Sequence, residues 1–186
     1  MAEPVIRRAT LADAEKLREI YAYYVRNTAI TFEYDVPSEE EFRERIRKTL
    51  LKYPYLVLEQ GNTLLGYSYA GPFVGRAAFS WSSEVTVYLA KKVQKKGYGK
   101  RLYQALEAEL KNIGIRNLYA CIAYPNEEDE YLTKNSAQFH SCMGYRQVGM
   151  FHNCGYKFKR WYSMIWMEKI IGNHNDNPDD DMELKR

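Results

Sequence analysis

The chain has 186 residues, a formal net charge of +3, 46% apolar residues, seventeen tyrosines and three tryptophans. That is ample material for the core of one domain, and it argues against a disordered chain. Lysines and arginines are scattered among carboxylates, so no face reads as a nucleic-acid or membrane surface, and small-molecule partners are expected. No apolar run reaches spanning length, and the first residues enter a charged helix with no signal peptide. Cys121, Cys142 and Cys154 are odd in number and lack zinc or redox spacing, which points to reduced thiols, no metal and a cytoplasmic protein.

In chain order, a short strand is expected around Pro4 to Arg8. Thr10 suits an N-cap, after which Leu11, Ala14, Leu17, Ile20, Tyr21, Tyr24 and Val25 recur at helical spacing. The segment "NTAITFEYDVPS" breaks that period. Ser38 followed by Glu41 then forms a capping box ahead of Phe42, Ile46 and Leu50, which predicts a second helix. "YLVLEQ" and "LLGYSYAG", separated by Gly61-Asn62, read as a hairpin, and "AFSWSSEVTVYLA" as a third strand of an antiparallel meander.

From Gly97 the period becomes 3.6. Leu102, Leu106 and Leu110 make an apolar stripe that stops at Gly114, and the strand "NLYACIAY" follows. A strand, helix, strand order implies a right-handed crossover between parallel neighbours. "PNEEDEYLTKN" carries four consecutive carboxylates, Glu127 to Glu130, and reads as a solvated loop. A short helix from about Ser136 to Met143 stops at Gly144, and "RQVGMF" and "KRWYSMIWMEK" read as two final strands. The expectation is one mixed α/β domain over residues 1–171 and a disordered acidic tail over 172–186.

The stretch "VQKKGYGKRL" joins the third meander strand to the long helix. A Walker A loop needs Ser or Thr after Gly-Lys, and Arg101 stands there. A dinucleotide fingerprint wants a third glycine where Leu102 stands, and a parallel sheet. What remains is a loop of Gln94, Lys95, Lys96, Gly97, Tyr98 and Gly99, with Lys100 behind it, whose free N–H groups at a helix N-terminus can grip a pyrophosphate. Gly-x-Gly also occurs simply to turn a strand into a helix.

This loop, its preceding strand and the following helix, strand and short helix resemble the GNAT acetyltransferase superfamily. "SWSSEVTVYLA", "NSAQFHSCMGY" and "GYKFKRWYSMIWMEK" are similar to its phosphinothricin acetyltransferase branch, which acetylates small amino acids with phosphinyl, sulfoximine or sulfone side chains. The resemblance spans Val5 to Lys169. It implies a mixed sheet of about seven strands with helices on both faces, acetyl-CoA as co-substrate with its pyrophosphate on the glycine loop, and a homodimer, to which the aromatic final strands also point.

Transfer to an amine needs a base, and the resemblance implies Glu84 in that role; the plain alternative is a polar residue on a solvated strand face. It implies main-chain contacts to the cofactor arm from Val87 and Leu89, and a side-chain contact from Asn135. His140 stands where many relatives carry a proton-donating tyrosine, and the two readings are an acid or substrate ligand, or a buried histidine satisfied by a backbone carbonyl. For the acceptor the resemblance points to Phe32, Glu33, Arg76, Tyr156 and Lys157. The acidic segment, longer than is common in the family, would exclude an anionic side chain and favour a cationic or neutral one. Alternatives are therefore acetylation of a polyamine, another cationic amine or a protein N-terminus, and a non-catalytic acyl-CoA-binding module.

Overall fold

The computed structural model describes residues 3–174. The predicted disordered tail lies, from residue 175 onward, outside the described residues. The strands are β1 (Val5–Arg8), β2 (Tyr55–Gln60), β3 (Thr63–Pro72), β4 (Ser82–Leu89), β5 (Asn117–Tyr124), β6 (Arg146–Lys157) and β7 (Arg160–Ile170). The helices are α1 (Ala14–Asn27), α2 (Glu39–Leu50), α3 (Tyr98–Asn112) and α4 (Asn135–Cys142). The strands form one mixed sheet in the order β1-β2-β3-β4-β5-β7-β6.

Local chemistry sets most boundaries. Asp13 ties the entry to α1 by accepting from the Thr10 N–H at 2.8 Å and pairing with Arg7 at 2.8 Å, and a short 3-10 turn at Leu11–Asp13 precedes the helix proper. At α2 the Ser38 hydroxyl accepts from the Glu41 N–H at 3.1 Å, while the Glu41 carboxylate pairs with Arg45 instead of completing the box. The third meander strand is shorter than expected: Arg76 to Ser80 make a 3-10 turn held by Phe79 N–H to the Arg76 carbonyl, so β4 starts only at Ser82.

Two apolar layers flank the sheet. On one face α1 and α2 cover β2, β3 and β4 around Leu17, Tyr21, Phe42, Ile46 and Tyr67. On the other, α3 buries Leu102, Leu106 and Leu110 against Leu56, Leu58, Val85 and Leu118. Period-2 alternation in β4 thus sends Thr86 and Tyr88 with Glu84 toward α1, and Val85, Val87 and Leu89 toward α3.

Leu106 is fully buried at the centre of the α3 layer. Leu106→Ala is expected to destabilise the fold by about 2–5 kcal/mol through lost burial and a residual cavity, read as a lowered midpoint in chemical denaturation at unchanged slope.

Candidate active site

The sheet is incomplete at its middle. β4 and β5 pair in parallel only over Ser82–Asn117, Ser83–Leu118 and Glu84–Tyr119, whereas β5 stays paired to β7 along its whole length, from Asn117 to Tyr124. β4 meanwhile stays with β3 as far as Leu89. The two strands separate beyond Glu84, and a cavity of about 230 Å³ opens between them. Its walls come from Glu84 to Tyr88 on β4, Ala120 to Ala123 on β5, Ile30 and Thr31 after α1, Tyr103 on α3, and Ser136 and His140 on α4.

Backbone groups face this opening. Pro72 has no N–H to give, so Pro72–Ser83 is a non-hydrogen-bonded pair. The alternation of an antiparallel ladder makes Ala70–Val85, Ser68–Val87 and Gly66–Leu89 the same. The Ala70 N–H accordingly goes the other way, to the Pro54 carbonyl at 3.2 Å. Val85, Val87 and Leu89 therefore direct N–H and C=O away from β3, toward the side on which β5 lies. At Leu89 those groups are taken by one side chain: the Tyr24 hydroxyl donates to the Leu89 carbonyl at 2.5 Å and accepts from the Leu89 N–H at 3.2 Å. Val87, one ladder step nearer Glu84, lines the cavity with its main chain turned to the opening.

Glu84 is half-buried at the point of separation. Among the described residues its carboxylate has no hydrogen-bond or ion-pair partner, and burial raises its pKa above the ordinary carboxylate value. Its charge is felt by Tyr69, Tyr103 and Cys121, which ring the cavity. Cys121 is the cysteine on this wall. Burial and the Glu84 charge push its thiol up to about 12, and its Sγ donates to Met164 Sδ at 2.9 Å, so it stands as a protonated thiol.

The glycine loop ends at the N-terminus of α3. Gly97 is the N-cap, with φ 79° and no side-chain cap, and the first helical bond is Arg101 N–H to the Gly97 carbonyl at 3.2 Å. The N–H groups of Tyr98, Gly99 and Lys100 are thus left without helical acceptors. Gly97 is needed for its left-handed backbone, since open space surrounds the position of a Cβ there. Gly99 is buried, and a Cβ on it would meet Phe139 and Leu89 at 3.4 to 3.6 Å. Lys95 also has positive φ, 62°, and the side chains of Lys95, Lys96 and Lys100 are exposed around the helix end. The donor set, a positive helix end ringed by lysines, fits a pyrophosphate. The Gln94 amide is directed inward, donating to the Tyr24 hydroxyl at 3.0 Å, which anchors the loop to α1.

His140 is 4% exposed. Its Nδ1 lies 2.7 Å from the Ser136 carbonyl and its Nε2 lies 2.9 Å from the Tyr103 hydroxyl. A carbonyl only accepts, so Nδ1 carries the proton, and Nε2 accepts from Tyr103. The ring is therefore held neutral with both nitrogens engaged, and burial lowers its pKa to about 4. This is the satisfied-histidine arrangement. Asn135 is the first residue of α4, after an N-cap at Lys134, and makes no side-chain cap.

The expected acceptor residues are distributed differently. None of Phe32, Glu33, Arg76, Tyr156 and Lys157 lines the cavity. Lys157 is 3% exposed and donates to the Thr28 and Thr31 carbonyls at 2.9 and 2.8 Å; burial pushes its pKa down to about 8. Phe32 packs on Gly155, Glu33 pairs with Arg45 at 2.7 Å, and the ring of Tyr156 lies against Trp161 at 4.9 Å. Arg76 caps the turn before β4, at the Glu84 end of the strand. The acidic segment is tied down: Asp129 and Glu130 pair with Arg160 at 2.9 and 2.8 Å, and Glu128 accepts from the Lys134 N–H at 2.7 Å. The periodic reading took Tyr24 as a helix-stripe residue and did not single out Tyr103; their hydroxyls have partners only because distant segments fold against them. No group of three or more metal-ligating side chains occurs among the described residues.

A sheet whose fourth and fifth strands part beside an uncapped, glycine-led helix sets open strand backbone next to an anion site, and relatives of the chain share this scaffold as acetyltransferases. The acetyltransferase (GNAT) domain family matches residues 6–166, and the chain belongs to that family. It is 32% identical to a phosphinothricin N-acetyltransferase of Streptomyces coelicolor over 91% of this chain and 98% of that one. It is 28% identical to an L-methionine sulfoximine/L-methionine sulfone acetyltransferase of Salmonella typhimurium, over 91% and 95% of the two chains. A phosphinothricin acetyltransferase from Sinorhizobium meliloti, solved in complex with AcCoA, superposes with a TM-score of 0.83 at 29% identity, covering 91% and 89%.

The neutral His140 ring has a consequence for stability. In the unfolded chain an imidazole takes up a proton as pH falls through about 6.5, while the folded ring stays neutral until about 4, so stability is lost as pH falls across that window. Wild type is expected to lose stability more steeply than His140→Gln between about pH 6.5 and pH 4. Parallel denaturation curves for the two proteins would show that His140 is not a buried neutral ring.

Proposed function

We propose that this enzyme transfers the acetyl group of acetyl-CoA to the primary amine of a small amino acid of the phosphinothricin, methionine sulfoximine or methionine sulfone type. The observation that carries the reading is the unpartnered Glu84 carboxylate at the parting of β4 and β5, one turn of the ladder from the outward-facing Val87 main chain. Named relatives with these acceptors support the substrate class.

When bound, acetyl-CoA supplies an activated thioester. The uncapped N–H groups of Tyr98, Gly99 and Lys100 would hold its pyrophosphate, with Lys95 and Lys96 adding charge, and the open main chain of Val87 would meet the acyl arm. Leu89 serves indirectly, through Tyr24 and Gln94, by fixing the exit of β4. Glu84, with its pKa raised by burial, would accept a proton from the incoming ammonium. The neutral amine forms the new C–N bond as the C–S bond of the thioester breaks, and the second proton shed by the nitrogen goes to the departing sulfur, so that coenzyme A is released as the thiol. The Cys121 thiol, with its pKa raised, is unsuited to carry an acyl group, which supports direct attack. His140, engaged at both nitrogens, acts by orienting Tyr103 at the cavity wall. Arg76, on the turn that enters β4 and outside the cavity walls, is our candidate to pair with an acceptor carboxylate or phosphinate. Three of the four acidic-loop carboxylates already have partners, which supports the amino-acid reading over the cationic-amine alternative.

Replacing Glu84 with Gln is expected to lower kcat by about 10²–10⁴-fold while leaving acetyl-CoA affinity unchanged. In wild type, kcat/KM should rise with pH through the raised Glu84 pKa, and this limb should vanish in the variant. Unchanged turnover in the variant would remove Glu84 as the base. An acetyl-CoA-binding chain that acetylates none of the three amino acids would favour the non-catalytic module.

The reading includes a homodimer. On the face opposite α3 and α4, no helix among the described residues packs on β5, β7 and β6, and Phe73, Tyr119, Trp166, Met164 and Phe151 lie along it; Phe73 stacks on Tyr119 at 4.0 Å, and Phe151 is 53% exposed. Sedimentation analysis is expected to give a dimer, and Phe151→Glu a monomer. A monomeric wild type would exclude it.

A further inference from the structure

Three loops outside the proposed chemistry are locked together beside the cavity. The β6–β7 hairpin turns through Phe158 and Lys159, both in the left-handed region at φ 51° and 62°, where side chains other than Gly, Asn and Asp are uncommon. The turn is braced from the acidic segment: Phe158 stacks on Tyr131 at 4.1 Å, Arg160 holds Asp129 and Glu130, and the Tyr162 hydroxyl donates to Asp129 at 2.8 Å.

The same hairpin grips the segment after α1. Besides the two bonds from Lys157 to the Thr28 and Thr31 carbonyls, the Phe32 ring sits 2.5 Å from where a Cβ on Gly155 would be, and the Tyr34 hydroxyl donates to the Tyr156 carbonyl. The Ala29 N–H closes the ring of contacts by donating to the Tyr131 carbonyl at 3.0 Å. Within this clasp Ile30 and Thr31 line the cavity that Glu84 enters, and the Thr31 hydroxyl is bonded to that of Tyr21 at 2.8 Å. A buried ammonium cannot lose its acceptors without leaving N–H groups unpaired in a dry site, so Lys157 holds both carbonyls at one spacing.

We propose that Lys157 is a positioning residue: by fixing the Ile30–Thr31 wall through the Thr28 and Thr31 carbonyls, it sets the size of the amine acceptor that can reach Glu84. This rests on the cavity being the amine site. The test compares the full-length chain with Lys157→Met, which keeps the apolar stem and removes the donor, and with Phe158→Gly, which relaxes the turn and removes the stack. KM and kcat are measured for methionine sulfoximine and for the bulkier phenylalanine, with amide hydrogen exchange followed over residues 28–34.

Both variants are expected to raise the methionine sulfoximine KM about tenfold, with kcat and the acetyl-CoA KM within about twofold, and to narrow the KM gap between the two acceptors. Exchange over residues 28–34 should quicken, while exchange in α3 stays as in wild type. Unchanged exchange over 28–34, or a parallel loss in kcat and both KM values, would overturn the proposal. If wild type acetylates neither amine, the acceptor assignment fails, and the exchange measurement alone decides whether Lys157 holds the wall.

Discussion

Main-chain hydrogen-bonding groups have to be satisfied, and the molecule leaves a row of them open in the middle of its sheet. β4 is held by β3 and β5 by β7, and these commitments pull the two central strands apart after three paired residues. The gap is thus a product of the neighbouring ladders. It creates strand backbone with an extended chain's worth of donors and acceptors facing a cavity, which suits an extended ligand arm.

The surroundings keep that gap open and shaped. Tyr24 caps the far end by using the Leu89 N–H and carbonyl and by anchoring Gln94, so one side chain of α1 joins the strand end to the start of the glycine loop. On the α3 side, the Tyr103–His140–Ser136 chain ties α3 to α4 across the cavity wall. On the α1 side, Tyr55, Tyr67 and Tyr69 stack beneath Tyr21 and Tyr88, a dry aromatic floor that stiffens β2, β3 and β4. Glu84 stands at the edge of that floor, and its raised pKa follows from it.

Where sequence and structure differ, the cause is long-range. Alternation in "SSEVTVYL" put Glu84 on the face opposite Val85 and Val87, and so it lies, but a helix pair covers much of that face, which no local pattern states. The resemblance pointed to Lys157 as a residue near the acceptor; its hydrogen-bond acceptors come from residues 126 or more positions away, and only the fold makes it buried. The acidic run Glu127–Glu130 read as solvated and is largely exposed; what the sequence did not state is that Arg160, thirty positions on, pairs with two of its carboxylates. His140 left two readings open because its state depends on Tyr103, a partner from another helix.

The amino-acid sequence by itself determined the order and kind of the elements and the glycine-led helix start, because periodicity and capping are local properties of the chain, and its motifs carried the resemblance to the family. Tertiary structure alone decided which backbone groups stay open, that Glu84 has no partner among the described residues, and that Lys157 and Arg160 are already engaged. Those are properties of pairs of segments, fixed only when the ladders on either side of the gap have formed.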